Sequence, residues 1–464
     1  MNNKMNEFFN SSEILDKIIF YFDQICSTPH NSLCEEKIAN FMVDFANKKN
    51  LEAKKDNFNN VIIKKTINVG KPYTVLHSHL DMVCVSDPTY NIDFSSQGIK
   101  LINTGKYLTA YKTSLGADNG IGVAIIMALL DQAPYNIEAF FTADEEKTST
   151  GAENFDYSQI TGKNLISLDG FRANEIVVGC ASVCDMQLNF NNNFNILPSS
   201  KNGYLLTISG LKGGHSGADI DKPLGNSIKV ASQILKNFKD VQLSQFEAGN
   251  QCNFIPNTAK VLFLGKKQKN LEESIVALKS KLKGLKIKIT KHKIDKILSK
   301  EDSDNTLKLI EKIQHGVIAK QDRDILLSQN LASINLTRNY IRVSQRGLDK
   351  KLEKKNLQKL KNLAVKYNGS LEILDSLPCF KTDKNAQLVN KLCKLSSKVN
   401  RVNLKKDIKN VSLEACIFKH KLPQTEIVIV SPKIENPHST RERVLIPSIA
   451  KTYNLVESYL KGEF

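Results

Sequence analysis

The chain has 464 residues, of which 41% are hydrophobic, and a net charge of +17. A chain of this length usually forms more than one hydrophobic core, so two domains are predicted. Its longest apolar run, 121–130, is too short to span a bilayer, and residues 1–12 lack the pattern of a secretory signal. Nine cysteines without a CxxC pair favour reduced thiols, so a cytoplasmic protein with no membrane partner is expected.

The excess of lysine is densest in 266–300 and 350–361. A basic surface is one signature of nucleic-acid binding. Here the lysines alternate with apolar residues at helical or strand spacing, and no aromatic cluster accompanies them. A solvated, lysine-rich surface is therefore favoured, and nucleic acid is not an expected partner.

The first elements in chain order are two helices and two strands. Apolar residues at helical spacing predict two helices within Ser12–Lys48, separated near Pro29, and apolar runs predict strands at Val61–Ile63 and Tyr73–Leu76. The second strand leads into His79 and Asp81. A His-x-Asp after a strand suits a metal-binding imidazole that is braced by a carboxylate, although the pair by itself is a weak signal.

The next segment, 113–122, is a glycine-punctuated turn that opens onto an apolar helix reaching Leu130. A phosphate-binding loop is the competing interpretation, but the segment has no GxGxxG and no Lys-Ser/Thr pair. A buried turn explains the glycines, whereas it does not explain Asp118 at the mouth of an apolar helix. A functional role for Asp118 is therefore expected.

Three further predicted strands lead into polar residues. Acidic residues follow the first two strands: Asp144-Glu145-Glu146 come after Ile137–Thr142, and Asp169 comes after Asn164–Leu168. A histidine, His438, comes after the third strand, Ile427–Val430. In an open α/β sheet the carboxyl ends of such strands meet at one crevice. Two histidines and several carboxylates suit a pair of divalent metal ions with one bridging carboxylate, and a spare carboxylate can act as general base.

Between these residues lies a long segment with its own alternation of strands and helices, which includes a helix predicted over Thr306–Ile318. It indicates a second α/β domain inserted into the first. Its most distinctive motif is the glycine-rich stretch Gly210–Gly217, which contains His215. For an isolated histidine in such a loop, a structural turn is the favoured interpretation.

Several blocks of the chain resemble, in order and nearly from end to end, the M20 family of metallopeptidases. Within that family the chain is most similar to the aminoacyl-histidine dipeptidase (Xaa-His dipeptidase, peptidase D) branch. The blocks that carry the resemblance are HSHLDMV, SLGADNGIGVA, FTADEEKTSTGA, NEIVVGCA, GLKGGHSGADIDK, GNQCNFIPNTA and ENPHSTRERV.

The resemblance implies a phosphorylase/hydrolase-like α/β catalytic domain with an inserted α/β lid or dimerisation domain. The expected bounds are 1–186 and 381–464 for the two parts of the catalytic domain and 187–380 for the insertion. It also implies two divalent ions, with zinc expected and manganese or cobalt as alternatives. Their ligands would be His79, Asp118, Glu146, Asp169 and His438, with Asp118 as the bridge.

The resemblance further assigns roles in catalysis and substrate binding. Glu145 corresponds to the general base, and Asp81 to the residue that orients the metal-binding histidine. His215 corresponds to the histidine that stabilises the oxyanion. Asn253 and Arg346 correspond to residues that hold the substrate's free carboxylate, although an ordinary surface arginine is the alternative for Arg346. These roles imply a cytosolic dipeptidase acting on small unblocked peptides, as a monomer or a homodimer.

The chain departs from the family pattern at four places, all near the expected substrate cleft: 170–171, 182–183, 410–414 and 431–433. At 410–414 the sequence Asn-Val-Ser-Leu-Glu replaces a block that begins with histidine. These departures leave the preference for a C-terminal histidine open. Two other functions also stay open: another M20 hydrolase (a tripeptidase, carboxypeptidase or N-acyl amino acid deacylase), or a non-catalytic binding protein with a basic surface.

Overall fold

A computed structural model describes residues 11–190, 192 and 194–463 of the chain. The chain forms two compact units. The first unit contains the described residues up to Gly179, together with Phe380–Ile408 and the residues from Leu413 onward. The second unit contains Cys180–Cys379 and also the short segment Lys409–Ser412. No feature of the sequence predicted that this short segment belongs to the second unit.

The helices and strands follow one another along three stretches of chain. Up to the end of the first stretch they are α1 Ser11–Ser27, α2 Glu36–Lys48, β1 Glu52–Lys55, β2 Val61–Lys65, β3 Thr74–His79, β4 Leu101–Asn103, β5 Tyr107–Ala110, α3 Ala117–Gln132, β6 Ile137–Thr142, α4 Thr150–Asn154, β7 Asn164–Ser167 and β8 Glu175–Cys180. A short 3-10 helix, Tyr157–Gln159, precedes β7.

The second stretch builds the second unit. Its elements are β9 Ser182–Phe190, β10 Phe194–Ser209, β11 Gly214–His215, α5 Ser227–Leu235, β12 Phe238–Ala248, β13 Phe254–Ile255, β14 Ala259–Lys267, α6 Leu271–Lys281, β15 Lys286–Leu298, α7 Lys300–Lys312, β16 Gly316–Gln321, β17 Asp324–Asn335, β18 Tyr340–Gly347, α8 Lys350–Lys366 and β19 Gly369–Leu377.

The third stretch returns to the first unit. Its elements are β20 Phe380–Lys381, α9 Gln387–Asn400, β21 Lys405–Lys409, α10 Ala415–Lys421, β22 Glu426–Ile429, β23 Ile434–Glu435, β24 Arg443–Leu445 and α11 Ile446–Lys461.

The main sheet of the first unit has nine strands in the order β1-β2-β6-β3-β7-β22-β8-β20, with β21 paired to β8. Its central strands β6, β3, β7 and β22 are parallel to one another. Every residue of β6 is buried, as expected for a parallel strand that is covered on both faces. The carboxyl ends of these four strands therefore lie at the same edge of the sheet.

The helix α3 lies at the centre of the core of the first unit. Residues Ile121–Leu130 are all buried, because this helix is apolar on every side and packs against β3, α1 and α11. A helix with this composition cannot lie at the surface without exposing a large apolar area to water. Its burial fixes the position of its first residues at the edge of the sheet.

The second unit is built on an antiparallel sheet in the order β15-β10-β14-β12-β17-β18-β9-β19, with β16 paired to β17. Helix α5 packs against β10 and β12, and α8 packs against β18 and β19. A separate apolar core fills the space between the sheet and these helices. A two-stranded ribbon of β11 and β13 holds His215 opposite Phe254.

The helix predicted over Thr306–Ile318 was placed too late in the chain. The structure has α7 at Lys300–Lys312, followed by β16 from Gly316 onward. The side chain of Ser299 accepts a hydrogen bond from the backbone N–H of Asp302, and two acidic residues follow in the first turn. This capping signal starts the helix earlier than its apolar spacing indicated, because a serine cap satisfies an N–H group that otherwise lacks a partner.

The predicted mixed α/β fold class is confirmed. Among the described residues, none of the helices combines the length and the apolar composition needed to cross a bilayer.

Candidate metal centre

The predicted polar residues of the first unit gather at the carboxyl edge of its parallel strands. His79 is the last residue of β3, Asp169 follows β7 by two residues, and Glu145 and Glu146 follow β6 by three and four. Asp118 lies at the start of α3, and His438 lies between β23 and β24. The parallel pairing of the strands brings residues together that are far apart in the sequence.

Each carboxylate oxygen of Asp118 faces a different imidazole. Its Oδ1 lies 3.2 Å from Nε2 of His79, and its Oδ2 lies 3.1 Å from Nε2 of His438. Nε2 of His79 is also 3.8 Å from Oδ1 of Asp169, and Nε2 of His438 is 2.8 Å from Oε1 of Glu146. Asp118 therefore lies between two sets of donor atoms.

Three overlapping groups have ligand atoms that all lie within 4.8 Å of one another and could hold a metal ion. They are His79 with Asp118 and Asp169, Asp118 with Glu146 and His438, and His79 with Glu145 and Glu146. The first two groups share only Asp118. Imidazole and carboxylate donors in these numbers suit zinc, manganese or cobalt.

Asp81 holds two parts of this cluster at once. The backbone oxygen of Asp81 lies 3.0 Å from Nδ1 of His79, and its Oδ1 lies 3.5 Å from the same atom. A proton on Nδ1 leaves the lone pair of Nε2 directed toward Asp118. The two carboxylate oxygens of Asp81 also accept hydrogen bonds from the backbone N–H groups of Glu145 and Glu146, at 3.0 and 3.2 Å.

The start of α3 departs from helical geometry where it carries Asp118. Asp118 has φ −84° and ψ 102°, and the peptide bond between Asp118 and Asn119 is cis. The side-chain amide of Asn119 donates to the backbone oxygen of Leu168 at 2.9 Å, which connects this segment to the residue that precedes Asp169. This hydrogen bond from a side chain to the backbone connects the segments that carry two of the clustered carboxylates, Asp118 and Asp169.

The residue predicted to stabilise the oxyanion, His215, and the two predicted to hold the substrate's carboxylate, Asn253 and Arg346, lie near one another in the second unit. The N–H of Ser216 donates to the backbone oxygen of Asn253 at 2.7 Å, and Nε of Arg346 donates to Oγ of Ser216 at 3.3 Å. His215 precedes Ser216. The three residues come from separate parts of the chain, at β11, before β13 and on β18.

The hydrogen bonds of His215 determine its tautomer. Nδ1 accepts hydrogen bonds from the backbone N–H groups of Gly217 and Ala218, both at 3.1 Å. Because Nδ1 accepts, the proton of the neutral ring lies on Nε2. Burial, with a contribution from the charge of Arg346, lowers the pKa of His215 to about 4. The side chain is therefore a neutral Nε2–H donor near neutral pH.

Residues 75–462 match the sequence profile of peptidase family M20/M25/M40. The chain belongs to this family of peptidases. A curated relative of this M20 peptidase is the cytosol non-specific dipeptidase of Escherichia coli (strain K12), which is 28% identical over 468 residues, covering 95% of this chain and 96% of the relative.

Solved structures resemble this M20 peptidase along nearly its whole length. The aminoacylhistidine dipeptidase from Vibrio alginolyticus aligns with a TM-score of 0.83 and 26% identity, over 96% of each chain. A tripeptidase from Staphylococcus aureus aligns with a TM-score of 0.56 and 15% identity, over 96% of this chain and 99% of the other. Because only 15% of the residues are identical, the similarity to the tripeptidase shows a shared fold and nothing about its activity.

The electrostatics of the clustered side chains favour bound cations. Burial, with the charges of Asp118 and Glu146, raises the pKa of Asp169 to about 7 against the opposing effect of His79. Burial also raises the pKa of Glu145 well above its usual range. For His438, hydrogen bonds to Asp118 and Glu146 overcome burial and raise its pKa to about 10. Buried carboxylates this close together repel one another, and divalent ions between them would relieve that repulsion.

Sequence reasoning missed a buried polar group next to this cluster. Glu414 is 2% exposed, and its Oε2 accepts a hydrogen bond from Oγ1 of Thr142 at 2.5 Å and lies 3.3 Å from Nε2 of His77. Burial raises the pKa of Glu414 to about 8. The signal was an acidic residue at the end of the 410–414 block, which was noted only for its missing histidine.

Proposed function

We propose that this M20 peptidase is a cytosolic, metal-dependent dipeptidase that hydrolyses unblocked dipeptides, including Xaa-His. The observation that carries the proposal is the position of Asp118, whose two oxygens face two separate donor groups while Glu145 lies beside them. The relatives named cytosol non-specific dipeptidase and aminoacylhistidine dipeptidase support the substrate class, and the first of them supports the cytosolic location.

Two divalent ions, with zinc proposed and manganese or cobalt as alternatives, would polarise the scissile carbonyl and lower the pKa of the attacking water. His79 and Asp169 would hold one ion, and Glu146 and His438 the other. Asp118 would be a ligand of both ions. The residues present fit such a pair, because the donor atoms are oxygens and imidazole nitrogens that converge in two groups.

In the proposed reaction Glu145 is the general base. It takes a proton from the water as the water oxygen attacks the peptide carbonyl carbon, and it gives that proton to the amine nitrogen as the C–N bond breaks. Two features support this role: Glu145 lies within 4.8 Å of the ligand atoms of His79 and Glu146, and its backbone is held by Asp81. Its raised pKa brings it closer to the pKa that suits proton transfer near neutral pH.

For the second unit we propose the functions of a lid or dimerisation domain, in a protein that is a monomer or a homodimer. His215 would donate its Nε2–H to the oxygen that becomes negative in the tetrahedral intermediate. Asn253 and Arg346 would hold the free carboxylate of the dipeptide, because a guanidinium binds a carboxylate through two parallel hydrogen bonds. The contacts of Ser216 with Asn253 and Arg346 support a shared site.

A second candidate function is a non-catalytic protein that binds an anionic partner. One observation favours it: the second unit holds 34 of the 65 Lys and Arg residues but only 18 of the 48 Asp and Glu residues, so it carries +16 of the net +17. Salt-sensitive binding of nucleic acid without peptidase activity would support this candidate. The convergent donor groups of the first unit favour hydrolysis instead.

The proposal is tested by metal-dependent hydrolysis of a small panel. The panel holds an Xaa-His dipeptide, β-alanyl-histidine, a dipeptide of Ala and Leu, a tripeptide and an N-acylated amino acid. Removal of metal by a chelator and the variant Glu145→Ala are the controls. We expect cleavage of the free dipeptides only, abolished by both controls. Cleavage of the tripeptide or the N-acyl substrate would identify a sister hydrolase, and no cleavage by the metal-loaded protein would refute an enzymatic function.

A further inference from the structure

A buried carboxylate outside the predicted ligand set holds the segment that carries Asp118. Glu442 is 2% exposed. Its Oε2 accepts hydrogen bonds from the backbone N–H groups of Leu115 and Gly116, at 2.9 and 3.1 Å, and its Oε1 accepts one from the N–H of Asp118 at 3.2 Å. The three donors lie within four consecutive residues, so one side chain fixes the whole turn.

The backbone at the start of α3 needs such an acceptor. The first N–H groups of a helix have no partner within the helix, and here the capping residue is Gly116, which has no side chain to accept them. Gly116 has a φ of 69°, and a Cβ on it would lie 2.7 Å from Sδ of Met82. Glycine is therefore favoured at this position, and the acceptor comes from another part of the chain.

The segment that carries Glu442 also carries His438. The N–H of Glu442 donates to the backbone oxygen of Ser439 at 3.0 Å, which closes the turn between the two residues. The backbone oxygen of Glu442 accepts from Oγ1 of Thr109 at 2.9 Å, and β24, which begins at the next residue, pairs with β5. The backbone of Glu442 is thus held in place by these contacts. His438 directly precedes the turn that ends at Glu442, and the side chain of Glu442 contacts the backbone of Asp118.

From these contacts we infer that Glu442 is a positioning residue that holds Asp118 and His438 at the separation needed to bind a metal ion between them. This inference rests on the proposed function as a two-metal hydrolase. A neutral Ser or Asn can satisfy the start of a helix without a buried charge. A carboxylate does so while adding negative charge beside the ligands, which strengthens the attraction for a cation.

The test compares two buried glutamates of the first unit. Glu442→Gln keeps the shape of the side chain but removes the charge and replaces one accepting oxygen by an amide that cannot accept. The matched control is Glu138→Gln: Glu138 is fully buried, and it accepts from the backbone N–H groups of Thr161 and Gly162 at 2.8 and 2.9 Å. Metal-free protein of each variant is titrated with Zn²⁺, and with Co²⁺ followed by its visible absorption.

We expect Glu442→Gln to weaken metal binding about 10- to 100-fold, as is usual for residues that orient metal ligands, and to change the Co²⁺ absorption. Glu138→Gln should keep the affinity of the unaltered protein, although we expect both metal-free variants to melt at a lower temperature than the unaltered protein. An unchanged affinity in Glu442→Gln, or an equal loss in both variants, would overturn the inference.

A third variant covers the case in which Glu442→Gln does not fold. Glu442→Asp keeps the charge but shortens the side chain, and we expect it to weaken metal binding less than Glu442→Gln and to alter the Co²⁺ absorption. Full affinity with an unaltered spectrum in Glu442→Asp would overturn the positioning role. If the unaltered protein binds no divalent ion, the proposed two-metal function fails, and the inference fails with it.

Discussion

Oδ1 of Asp81 accepts a hydrogen bond from the backbone N–H of Glu145 at 3.0 Å. The sequence suggested two separate roles, with Glu145 as the general base and Asp81 as the residue that orients His79. The hydrogen bond connects them, because Asp81 also contacts Nδ1 of His79. Asp81 therefore contacts the imidazole of His79 chiefly through its backbone oxygen, and its carboxylate fixes the backbone that carries the proposed base. Glu442 makes the corresponding contacts at the start of α3.

The variant Asp81→Asn should impair metal binding and turnover together. An asparagine offers one accepting oxygen, whereas Asp81 uses both oxygens on the N–H groups of Glu145 and Glu146. We expect metal affinity to fall about 10- to 100-fold, with a comparable loss of kcat at subsaturating metal. Metal titration and steady-state kinetics measure both quantities. The control is Asp93→Asn, which alters an exposed aspartate that accepts from the N–H of Ser95 at 3.0 Å and should change neither.

The variant Glu145→Gln should abolish most of the turnover while the metal stays bound. A glutamine keeps the size of the side chain but cannot take a proton, so we expect kcat to fall about 10²- to 10⁴-fold. Metal content by elemental analysis should equal that of the unaltered protein. Glu153→Gln, at a nearby helix outside the cluster, is the control. A loss of metal with the same loss of kcat would make Glu145 a ligand and refute its role as the base.

The imidazole of His215 should stay neutral until the solution becomes strongly acidic. Its pKa is lowered from 6.5 to about 4, chiefly by burial. NMR of protein labelled at histidine should show a proton on Nε2 at neutral pH and a titration near pH 4. A titration near 6.5, or a proton on Nδ1, would contradict the proposed donor role.

The same shift in the pKa of His215 has a consequence for stability. The folded-state pKa is the lower one, so between about pH 6.5 and pH 4 the unfolded chain takes up a proton that the folded chain does not. Above about pH 6.5 the protonation of His215 does not change the free energy of unfolding. As the pH falls from about 6.5 to 4, the proton taken up by the unfolded chain lowers the free energy of unfolding. The variant His215→Asn should lose this part of the acid destabilisation in denaturant titrations at pH 7 and pH 5.

The variant Arg346→Met should weaken the binding of substrates that carry a free C-terminal carboxylate. Arg346 is 6% exposed, and its Nε donates to Oγ of Ser216. Charge-assisted hydrogen bonds contribute roughly 1.5–3 kcal/mol, so we expect KM to rise about 10- to 100-fold. Comparison with the dipeptide amide completes the test, because the amide lacks the negative charge. If Arg346→Met weakens a dipeptide and its amide equally, Arg346 does not bind the carboxylate.

Local patterns in the sequence predicted α1, α2, α3 and the strands β2, β3, β6, β7 and β22 of the first unit. The strand Ile137–Thr142 has the bounds expected from its apolar run, and the turn before α3 opens onto a buried helix as its composition indicated. Such predictions succeed because a strand or helix made mainly of apolar residues is stabilised by burial, and a single polar residue such as Glu138 can be buried with it when it is hydrogen-bonded. The start of α7 was missed because its capping serine was overlooked, although that signal is local as well.

The sequence by itself determined the residue types of the candidate metal centre and the strands that present them. Its proposed members, His79, Asp118, Glu145, Glu146, Asp169 and His438, follow strands or open a helix. Only the tertiary structure decided which of them meet, and which buried carboxylates hold them. Asp81 reaches the backbone of Glu145, and Glu442 reaches that of Asp118 across 324 positions of sequence. The physical reason is that a backbone N–H group has no sequence signature for its distant acceptor. Its partner is fixed only when parallel strands and a buried helix bring the two segments together.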